Sequence, residues 1–350
     1  MSDGPEEGAW MSGAPTMVKP IPLADIEAAR QRLSGIASRT PLVRFNVDTG
    51  PVEIYLKLEN LQQIGSFKIR GAGNAMALAE DAVLESGVWT ASAGNMAQGV
   101  AWNAARLGVP CSVVVPDHAP AAKLEALDRL GAVIVKVPFE EWWQVIVTHE
   151  FAGQDGVFVH PVSDRAVMAG NGTIGLELVE DLPDLDAVVV PYGGGGLSSG
   201  IASAMRSLKP GVPVYGAEVA TSAALHAALA AGEPTEIEYT PSFVDGIGSA
   251  RVLDEMWPLV SVLLAGSIVV SLEEVETAVR LLATRNKVVG EGAGAASVAA
   301  ATKGGAGPGK IVCIVSGGNI NAAKLAEILS AGDTNPQSVP QSRGTGHGTE

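Results

Sequence analysis

The sequence predicts an α/β fold with two lobes, in which parallel-rich sheets are flanked by helices. Strand-like and helix-like segments alternate regularly from Gly87 onward, which is typical of βαβ units on a parallel sheet. Residues 187–190 are all apolar, as expected of a central parallel strand that is buried on both faces. Gly108 and Gly131 each follow a helical segment and favour a helix end there. A chain of 350 residues is long enough to fill the cores of two lobes.

The first half of the chain opens with a helix and two strands before the alternation begins. The spacing of Ile26, Ala29 and Leu33 predicts an amphipathic helix at the start. We expect helices over 23–33, 71–82, 96–107, 121–130 and 140–151. We expect strands over 40–45, 52–59, 88–91, 111–115, 133–137 and 157–160.

The second half resumes the alternation after an expected helix over 166–180. Ser271 and Glu274 form a capping box that starts a further helix, whereas 233–249 has no regular period. The remaining helices are expected over 197–208, 222–231, 271–285, 293–302 and 322–329. The strands of this half are expected over 187–190, 212–217 and 311–315.

The pattern divides the chain into two domains and two tails. A large domain is predicted at 21–86 and 164–330, with a small domain at 87–163 inserted into it. The segments 1–20 and 331–350 are rich in Gly, Pro and Ser without periodicity, which predicts disordered tails. The second tail is too short and too polar for an appended effector domain.

Composition excludes several classes of partner. The net charge of −15 argues against nucleic acid and anionic membranes, since both need a basic face. Cys111 and Cys313 fall in predicted strands, which favours small core residues over a disulfide or a metal pair. No apolar run is long enough to span a bilayer, and the start of the sequence lacks a signal-peptide pattern. We expect a soluble, cytoplasmic protein.

The first candidate site is the run Ser66-Phe-Lys-Ile-Arg-Gly-Ala72, between a strand and a helix. Open α/β sheets place their ligand crevices at such junctions. Apolar Phe67 and Ile69 would partly desolvate Lys68, which lowers the pKa of a lysine and frees its amine as a nucleophile. Such an amine forms Schiff bases with carbonyl cofactors such as pyridoxal phosphate. The alternative is an ordinary solvated helix start, with Lys68 and Arg70 both facing water.

A second candidate site is the tetraglycine run from Gly193 to Gly196, which joins a buried strand to a helix. Consecutive backbone N–H groups at a helix N-terminus make an anion nest. The lysine-containing P-loop pattern and the spaced-glycine dinucleotide pattern are both absent, so a single phosphate monoester fits best. The alternative is a tight turn, which would need one or two glycines rather than four.

Two further turns carry polar groups. The run Ser92-Ala-Gly-Asn-Met-Ala-Gln-Gly99 supplies a hydroxyl, an amide and free helix N–H groups, which suits a carboxylate or a phenolic oxygen. The alternative is ordinary helix capping by Ser92 or Asn95. Ser316, in the run Ser-Gly-Gly-Asn319 after the last strand, can hydrogen-bond a ring nitrogen without protonating it. A capped turn explains that run equally well.

Together these four motifs, in their order and spacing, resemble the serine/threonine dehydratase and serine racemase family. The resemblance covers about residues 23–329, and His160-Pro161 and the run Ala169-Gly-Asn-Gly-Thr173 also match. It implies the two-lobed fold of the tryptophan synthase β-subunit type, pyridoxal 5'-phosphate as cofactor and an amino acid as substrate. A homodimer is expected, because family members are commonly dimers.

The resemblance also implies roles for individual residues. Lys68 would hold the cofactor in a Schiff base and later act on the Cα proton of the substrate. Backbone N–H groups of the tetraglycine run and the next residue would bind the phosphate, Asn95 would face the 3-hydroxyl, and Ser316 the pyridine nitrogen. The cofactor-binding residues would be Phe67, Lys68, Asn95, Gly193, Gly194, Gly195, Gly196, Leu197, Glu291 and Ser316. The substrate-binding residues would be Ser92, Ala93, Gly94, Asn95, Met96 and, in a mobile loop over 242–248, Asp245.

A serine at the ring nitrogen leaves the ring neutral, which favours β-elimination over transamination. Elimination of water from a β-hydroxy amino acid gives an enamine, then an imine, and finally a 2-oxo acid and ammonia. The alternatives are an amino acid racemase, a 3-hydroxyaspartate dehydratase and a non-catalytic binding protein. Ala93 stands where racemases of the family place a second serine, which argues against a base on both faces.

Four further features bear on the substrate and on metals. Met96 stands where many relatives have histidine, which makes the carboxylate pocket more apolar. The segment 219–224 after Glu218 has no second acid, so we predict no divalent metal site of the family type. Trp142 and Trp143 either pack the small lobe or face the cleft, where they would accept a bulky substituent such as that of 3-phenylserine. No added cation lies near Ser92, which disfavours 3-hydroxyaspartate.

Overall fold

The computed structural model describes residues 19–331, so the two predicted tails lie almost wholly outside the described residues. Within this range the α-helices begin with α1, which carries Ile26 and Ala29 into the core. They are α1 (Leu23–Arg32), α2 (Lys68–Leu78), α3 (Asp81–Glu85), α4 (Asn95–Leu107), α5 (Ala121–Arg129), α6 (Phe139–Thr148), α7 (Arg165–Asp181), α8 (Gly196–Leu208), α9 (Ala224–Ala231), α10 (Trp257–Leu263), α11 (Leu272–Leu281), α12 (Gly292–Thr302) and α13 (Ala322–Ser330).

The strands form two separate sheets. They are β1 (Leu42–Arg44), β2 (Val52–Lys57), β3 (Val88–Ala91), β4 (Cys111–Pro116), β5 (Val133–Val137), β6 (Val157–Phe158), β7 (Ala187–Pro191), β8 (Val214–Val219), β9 (Gly266–Val270) and β10 (Gly309–Ile314). The six-stranded sheet has the order β1-β2-β10-β7-β8-β9, and the four-stranded sheet has the order β5-β4-β3-β6. All neighbouring strands are parallel except β1 and β2.

The observed elements follow the predicted alternation, with differences at a few ends. The helix expected over 71–82 ends at Leu78, where Ala79 is extended, and α3 follows as a separate helix. The capping box is confirmed: the Ser271 side chain accepts from the Glu274 N–H, and the Glu274 carboxylate accepts from the Ser271 N–H. The helix after it ends at Leu281 and continues as a π-helical turn over Leu282–Asn286. The sequence pattern does not predict α10 and β9, because residues 257–270 are mostly apolar and offer few turn residues to separate them.

The centre of the six-stranded sheet is β7, whose five residues are all buried. Val188 and Val190 pack into one core cluster with residues of α7 and α8, including Ile174 and Ile201. Ala187 and Val189 pack into a second cluster on the opposite face, with residues of α11 and α12. Successive side chains of a strand point to opposite faces, so an all-apolar strand can serve two cores. The prediction of a strand buried on both faces is confirmed.

The four-stranded sheet, whose strands lie between residues 88 and 158, has a separate core on each of its faces. Its strand β3 is fully buried, with α4 on one face and α6 on the other. This sheet lies inside the range predicted for the small domain, although the domain boundaries themselves stay a prediction. Cys111 and Cys313 are both buried and free, in β4 and β10. No helix among residues 19–331 is long and apolar enough to cross a membrane.

A buried ion cluster fixes the start of α2. Arg70 is only 2% exposed, and its guanidinium pairs with Glu59 at 2.8 Å and with Glu177 at 2.7 Å. Lys57 is fully buried and pairs with Glu177 at 2.5 Å. Burial by itself raises the pKa of Glu59, but the charge and hydrogen bonds of Arg70 hold it below the ordinary value. The alternative interpretation of a solvated helix start is therefore wrong for Arg70.

We expect Arg70→Met to lower the free energy of unfolding by about 3–5 kcal/mol, because it leaves two buried carboxylates without their shared partner. The measurement is denaturant unfolding followed by circular dichroism. Arg251→Met is the control, since Arg251 forms an exposed pair with Asp254 and should cost less than about 1 kcal/mol. Equal losses in the two variants would contradict the proposed importance of the cluster.

Candidate active site

A cavity of about 450 Å³ lies between the two sheets, where their strands end. Segments that follow the carboxyl ends of β3, β4, β7 and β10 form its walls, as is usual for ligand sites of parallel sheets. Every predicted site residue lines this cavity. They are Phe67, Lys68, Ser92, Ala93, Gly94, Asn95, Met96, Gly193, Gly194, Gly195, Gly196, Leu197, Asp245, Glu291 and Ser316. Four motifs that are far apart in the sequence therefore meet in one place.

Lys68 opens α2 and directs its amine into the cavity. Its Nζ donates a hydrogen bond to the carbonyl oxygen of Pro161 at 2.9 Å and lies 5.2 Å from the centre of the Phe67 ring. Burial lowers the pKa of Lys68 to about 8, although the nearby charge of Glu291 raises it. The amine is therefore closer to its neutral, nucleophilic form at neutral pH than an ordinary lysine.

The loop that receives the lysine amine is shaped by His160. Its Nδ1 accepts hydrogen bonds from the backbone N–H groups of Val162 and Ser163, at 3.2 and 2.8 Å. On the other side of the ring, Nε2 donates to the carbonyl oxygen of Ile146 at 3.1 Å. Burial keeps the pKa of His160 far below its usual range, so the ring is neutral and can accept at one nitrogen while it donates at the other.

The same loop packs directly against the tetraglycine turn. A Cβ at Gly194 would collide with the Val162 side chain, and a Cβ at Gly196 would lie 2.5 Å from the Val162 carbonyl oxygen. Gly195 has a φ of 94°, in the left-handed region that favours glycine. The turn therefore needs glycine at these positions for close approach, independently of any ligand.

The tetraglycine turn also presents free backbone donors. Within the described residues, the backbone N–H groups of 193–197 donate none of the hydrogen bonds that lie outside the regular helices and strands. These groups stand at the N-terminus of α8, where the first turn has no intrahelical acceptors. An anion placed there is stabilised by the N–H groups and by the helix dipole.

Asn95 and Glu291 form a hydrogen-bonded group with Asn319. The Asn95 amide donates to Glu291 Oε1 at 2.8 Å, and its oxygen accepts from the Asn319 amide at 2.8 Å. The backbone N–H of Asn319 donates to Glu291 Oε2 at 3.1 Å. Burial and then the charge of Asp245 raise the pKa of Glu291 to about 7, although these hydrogen bonds lower it. Asn95 keeps one amide N–H for a ligand.

Ser316 joins the last strand to the lysine loop. Its carbonyl oxygen accepts from the Phe67 N–H at 3.0 Å, and Ser66 and Gly317 form an antiparallel bridge beside it. The hydroxyl of Ser316 takes part in none of the hydrogen bonds within residues 19–331, and it lines the cavity. A buried serine with a free hydroxyl is placed to bind a polar atom of a ligand.

Asp245, a predicted substrate contact, lines the cavity but is already paired. Its carboxylate accepts from Lys123 Nζ at 2.5 Å, and both side chains are partly exposed at the cavity mouth. Lys123 belongs to α5 beside the smaller sheet, whereas Asp245 begins a 3-10 helical turn (Asp245–Ile247) that packs against α12 beside the larger one. The ion pair therefore links the two sides of the cleft.

Trp142 and Trp143 both line the cavity, together with Phe139 from the same helix. Trp142 also packs against the small core around Trp89, so this residue both packs the lobe and lines the cleft. Sequence reasoning missed Phe139 and Lys123. Phe139 could have been found from the sequence, because its spacing from Trp142, Trp143 and Ile146 places all four on one face of a helix.

Glu218 is buried near the end of β8, and three protein groups donate hydrogen bonds to it. Its carboxylate accepts from the backbone N–H groups of Leu225 and His226, each at 2.8 Å, and from the Ser267 hydroxyl. The absence of a metal near Glu218 stays a prediction. Among the described residues, one cluster has the spacing of a metal site, formed by His149, His160 and Glu255. Both ring nitrogens of His160 are used in hydrogen bonds, so it has no free lone pair for a metal.

Comparisons with known proteins show which family the chain resembles over most of its length. Residues 33–317 match the family described as pyridoxal-phosphate dependent enzymes. The chain belongs to this family. It is 42% identical over 318 residues to the L-threonine ammonia-lyase of Thermotoga maritima, covering 89% of this chain and 79% of that protein. It is 39% identical over 316 residues to the catabolic L-threonine dehydratase of Escherichia coli strain K12, covering 88% of this chain and 96% of that protein.

A solved structure gives the same fold. Maize serine racemase superposes with a TM-score of 0.82 at 30% sequence identity, over 90% of this chain and 98% of that one. The fold class predicted from the sequence is confirmed, and so is the dependence on pyridoxal phosphate.

The residues present fit that cofactor. The amine of Lys68 can react with the aldehyde of the cofactor, and the free N–H groups of 193–197 can donate hydrogen bonds to its phosphate. The unpaired hydroxyl of Ser316 and the remaining N–H of Asn95 suit the ring nitrogen and the ring hydroxyl. These are the residues that would hold the cofactor in the cavity.

We expect the apoenzyme to capture pyridoxal phosphate faster as the pH rises to about 8, and at a constant rate above it. The amine must be unprotonated to attack the aldehyde, and Lys68 has a pKa of about 8 in place of 10.5. The measurement is the growth of visible absorbance after mixing, from pH 6.5 to 10, with Lys68→Ala as the blank. A rate that still rises at pH 10 would contradict the lowered pKa.

We expect His160→Ala to raise the dissociation constant of the cofactor about tenfold, which is about 1.4 kcal/mol. The substitution frees the loop that faces both Lys68 and the tetraglycine turn. Equilibrium titration of the apoenzyme with the cofactor measures the effect. His226→Ala is the matched control, because its side chain is exposed on α9. An unchanged constant in a folded His160→Ala protein would show that the loop needs no such support.

Proposed function

We propose that the chain is a dehydratase (ammonia-lyase) that converts a β-hydroxy amino acid of the serine or threonine type to a 2-oxo acid and ammonia. One observation carries the proposal: the Lys68 amine, the free N–H groups of 193–197 and the Ser92–Asn95 turn face a single cavity. The relatives named L-threonine ammonia-lyase and L-threonine dehydratase, at 42% and 39% identity, support the same reaction.

The cofactor supplies an electron-withdrawing ring that acidifies the Cα–H bond and lets the β-hydroxyl leave. The residues of the chain bind and orient the cofactor and the substrate, and they supply and accept protons. The Lys68 amine would remove the Cα proton of the substrate, and its lowered pKa suits an acid–base role near neutral pH. The hydroxyl of Ser92 and the N–H groups at the start of α4 hold the substrate carboxylate.

The overall balance needs no oxidant or reductant. The Cα proton and the β-hydroxyl leave as water, which gives an enamine that becomes an imine by moving a proton to Cβ. A water molecule then adds to the imine carbon and ammonia leaves, which gives the 2-oxo acid. The net reaction is therefore amino acid to 2-oxo acid and ammonia.

The runner-up activity is racemisation on the same cofactor, supported by the similarity to maize serine racemase. Racemisation needs a proton donor on the face opposite the lysine. Ala93 lines the cavity at the position where the resemblance places that donor, and a methyl group has no proton to give. Elimination is therefore favoured.

The test is to mix the holoenzyme with L-serine and L-threonine and to measure 2-oxo acid and ammonia together. We expect equal amounts of both products, and we expect Lys68→Ala to lower the rate at least about 1,000-fold, as loss of a catalytic base and nucleophile does. A chelator is included, because we also propose that no divalent cation at Glu218 is needed.

A chiral assay of the recovered amino acid separates the two activities. If D-amino acid forms and no 2-oxo acid is released, the proposed elimination is wrong and racemisation is the activity. Bound cofactor without any product from either assay would favour a binding protein over an enzyme.

We also propose that the protein works as a cytoplasmic homodimer. Two buried, free cysteines are typical of a reducing compartment. Val262 is 64% exposed beside a surface cavity lined by residues of α8 and α10, and a second copy packed there would cover this apolar side chain. Sedimentation equilibrium tests the dimer: twice the chain mass of 35.7 kDa supports it, and the single mass contradicts it.

A further inference from the structure

One wall of the active-site cavity is built from aromatic and apolar side chains of a single helix. On α6, Phe139, Trp142, Trp143 and Ile146 recur at i, i+3, i+4 and i+7, which places them on one face of the helix. All four line the cavity that holds Lys68. The apolar face of α6 therefore serves the cavity as well as the core.

The rings on this wall contact one another in sequence. The centres of Trp143 and Trp142 are 6.4 Å apart, those of Trp142 and Phe139 are 5.7 Å apart, and those of Phe139 and His118 are 6.0 Å apart. Distances of this size are typical of tilted aromatic pairs. The wall is therefore a continuous row of rings, which we call the aromatic wall: His118, Phe139, Trp142 and Trp143.

Two rings of the aromatic wall are not covered by other side chains of the protein. Phe139 is 47% exposed and Trp143 is 38% exposed, in a chain with only six phenylalanines and six tryptophans. A protein that is poor in aromatic residues and leaves two of them uncovered in its main cavity has apolar surface available there for a ligand.

Several other residues that line the cavity beside the aromatic wall are also apolar. Met96 is buried at the start of α4, next to the turn proposed to hold the substrate carboxylate. Further apolar lining residues come from the end of β4 and the connection to α5: Pro116, Ala119 and Pro120.

The charged groups of the cavity do not suit a second carboxylate on the substrate. Lys123 is paired with Asp245, and His118 lies 3.3 Å from Asp117. Lys68 is needed for the cofactor. Among the described lining residues, no other cation is left to bind an acidic side chain.

We infer that the aromatic wall makes the site selective for β-hydroxy amino acids with a bulky apolar, aryl-type β-substituent, the class of 3-phenylserine. The inference rests on the proposed β-elimination and specifies its substrate. The substrate amino group would take the place of the Lys68 amine on the cofactor, the carboxyl group would bind at the Ser92 turn, and the β-substituent would pack against the rings. A methyl group, as in threonine, leaves most of this apolar surface in contact with water.

The first test measures binding by the holoenzyme with ligands that lack the β-hydroxyl and so have no leaving group. L-Phenylalanine stands for 3-phenylserine, and L-2-aminobutyrate stands for threonine. We expect calorimetric titration to give at least about tenfold tighter binding of L-phenylalanine, since each added carbon in an apolar pocket contributes to affinity. Equal affinities, or tighter binding of L-2-aminobutyrate, would overturn the inference.

The second test uses variants of α6. Trp143→Ala removes an exposed ring and should reduce the preference for L-phenylalanine about tenfold. Val147→Ala is the matched control, because Val147 is 51% exposed on the same helix and does not line the cavity. Phe139→Leu serves if Trp143→Ala does not fold. A preference that is unchanged in both wall variants would assign the rings to lobe packing and overturn the inference.

The third test compares kcat/KM for threo-3-phenylserine and L-threonine, and we expect a ratio of at least about ten in favour of 3-phenylserine. A ratio below one would overturn the inference while leaving the elimination intact. If no substrate releases a 2-oxo acid but L-phenylalanine still binds preferentially, the proposed elimination is wrong and the aryl preference of the site stands.

Discussion

The buried pairing of Arg70 with Glu59 and Glu177 is the interaction on which the site depends. Arg70 stands two residues after Lys68 in the first turn of α2, so its position sets where the lysine side chain begins. Glu177 belongs to α7, which packs closely against both α2 and α8. Charges that are buried together must remain paired, because a lone one would be costly. The cluster therefore fixes the helix that carries the lysine relative to the helix that carries the anion nest.

Small residues make the close packing of this region possible. A Cβ at Gly99 would lie 3.0 Å from the Lys68 carbonyl oxygen, and one at Gly170 would lie 2.5 Å from the Arg70 carbonyl oxygen. Helices that approach so closely place several backbone segments around one cavity. Glycine, alanine and aliphatic side chains thus make up most of the core, and α6 supplies aromatic surface to the cleft. Rigid walls of this kind suit a site that must hold a cofactor and a substrate in fixed relation.

Much of the fold could be predicted because local patterns determine it. The apolar run of β7, the alternation of strands with helices and the capping box at Ser271 are all found in the structure. The order of the sheet was not predictable, since β10 enters between β2 and β7 from the far end of the chain. The segment with α10 and β9 was missed because it is mostly apolar and has few turn residues to separate the two elements. Burial of Arg70 was missed because its partners are distant in sequence.

The sequence by itself determined the chemical groups of the site. A lysine after a strand, four consecutive glycines and a serine after the last strand carry their chemistry in their own residue types and turn geometry. Only the tertiary structure decided which of these groups remain free for a ligand. It pairs Asp245 with Lys123, joins Asn95 to Glu291, and turns the rings of α6 toward the cleft. Those outcomes depend on contacts between segments far apart in the chain, and burial changes charge and exposure in ways that a local pattern does not contain.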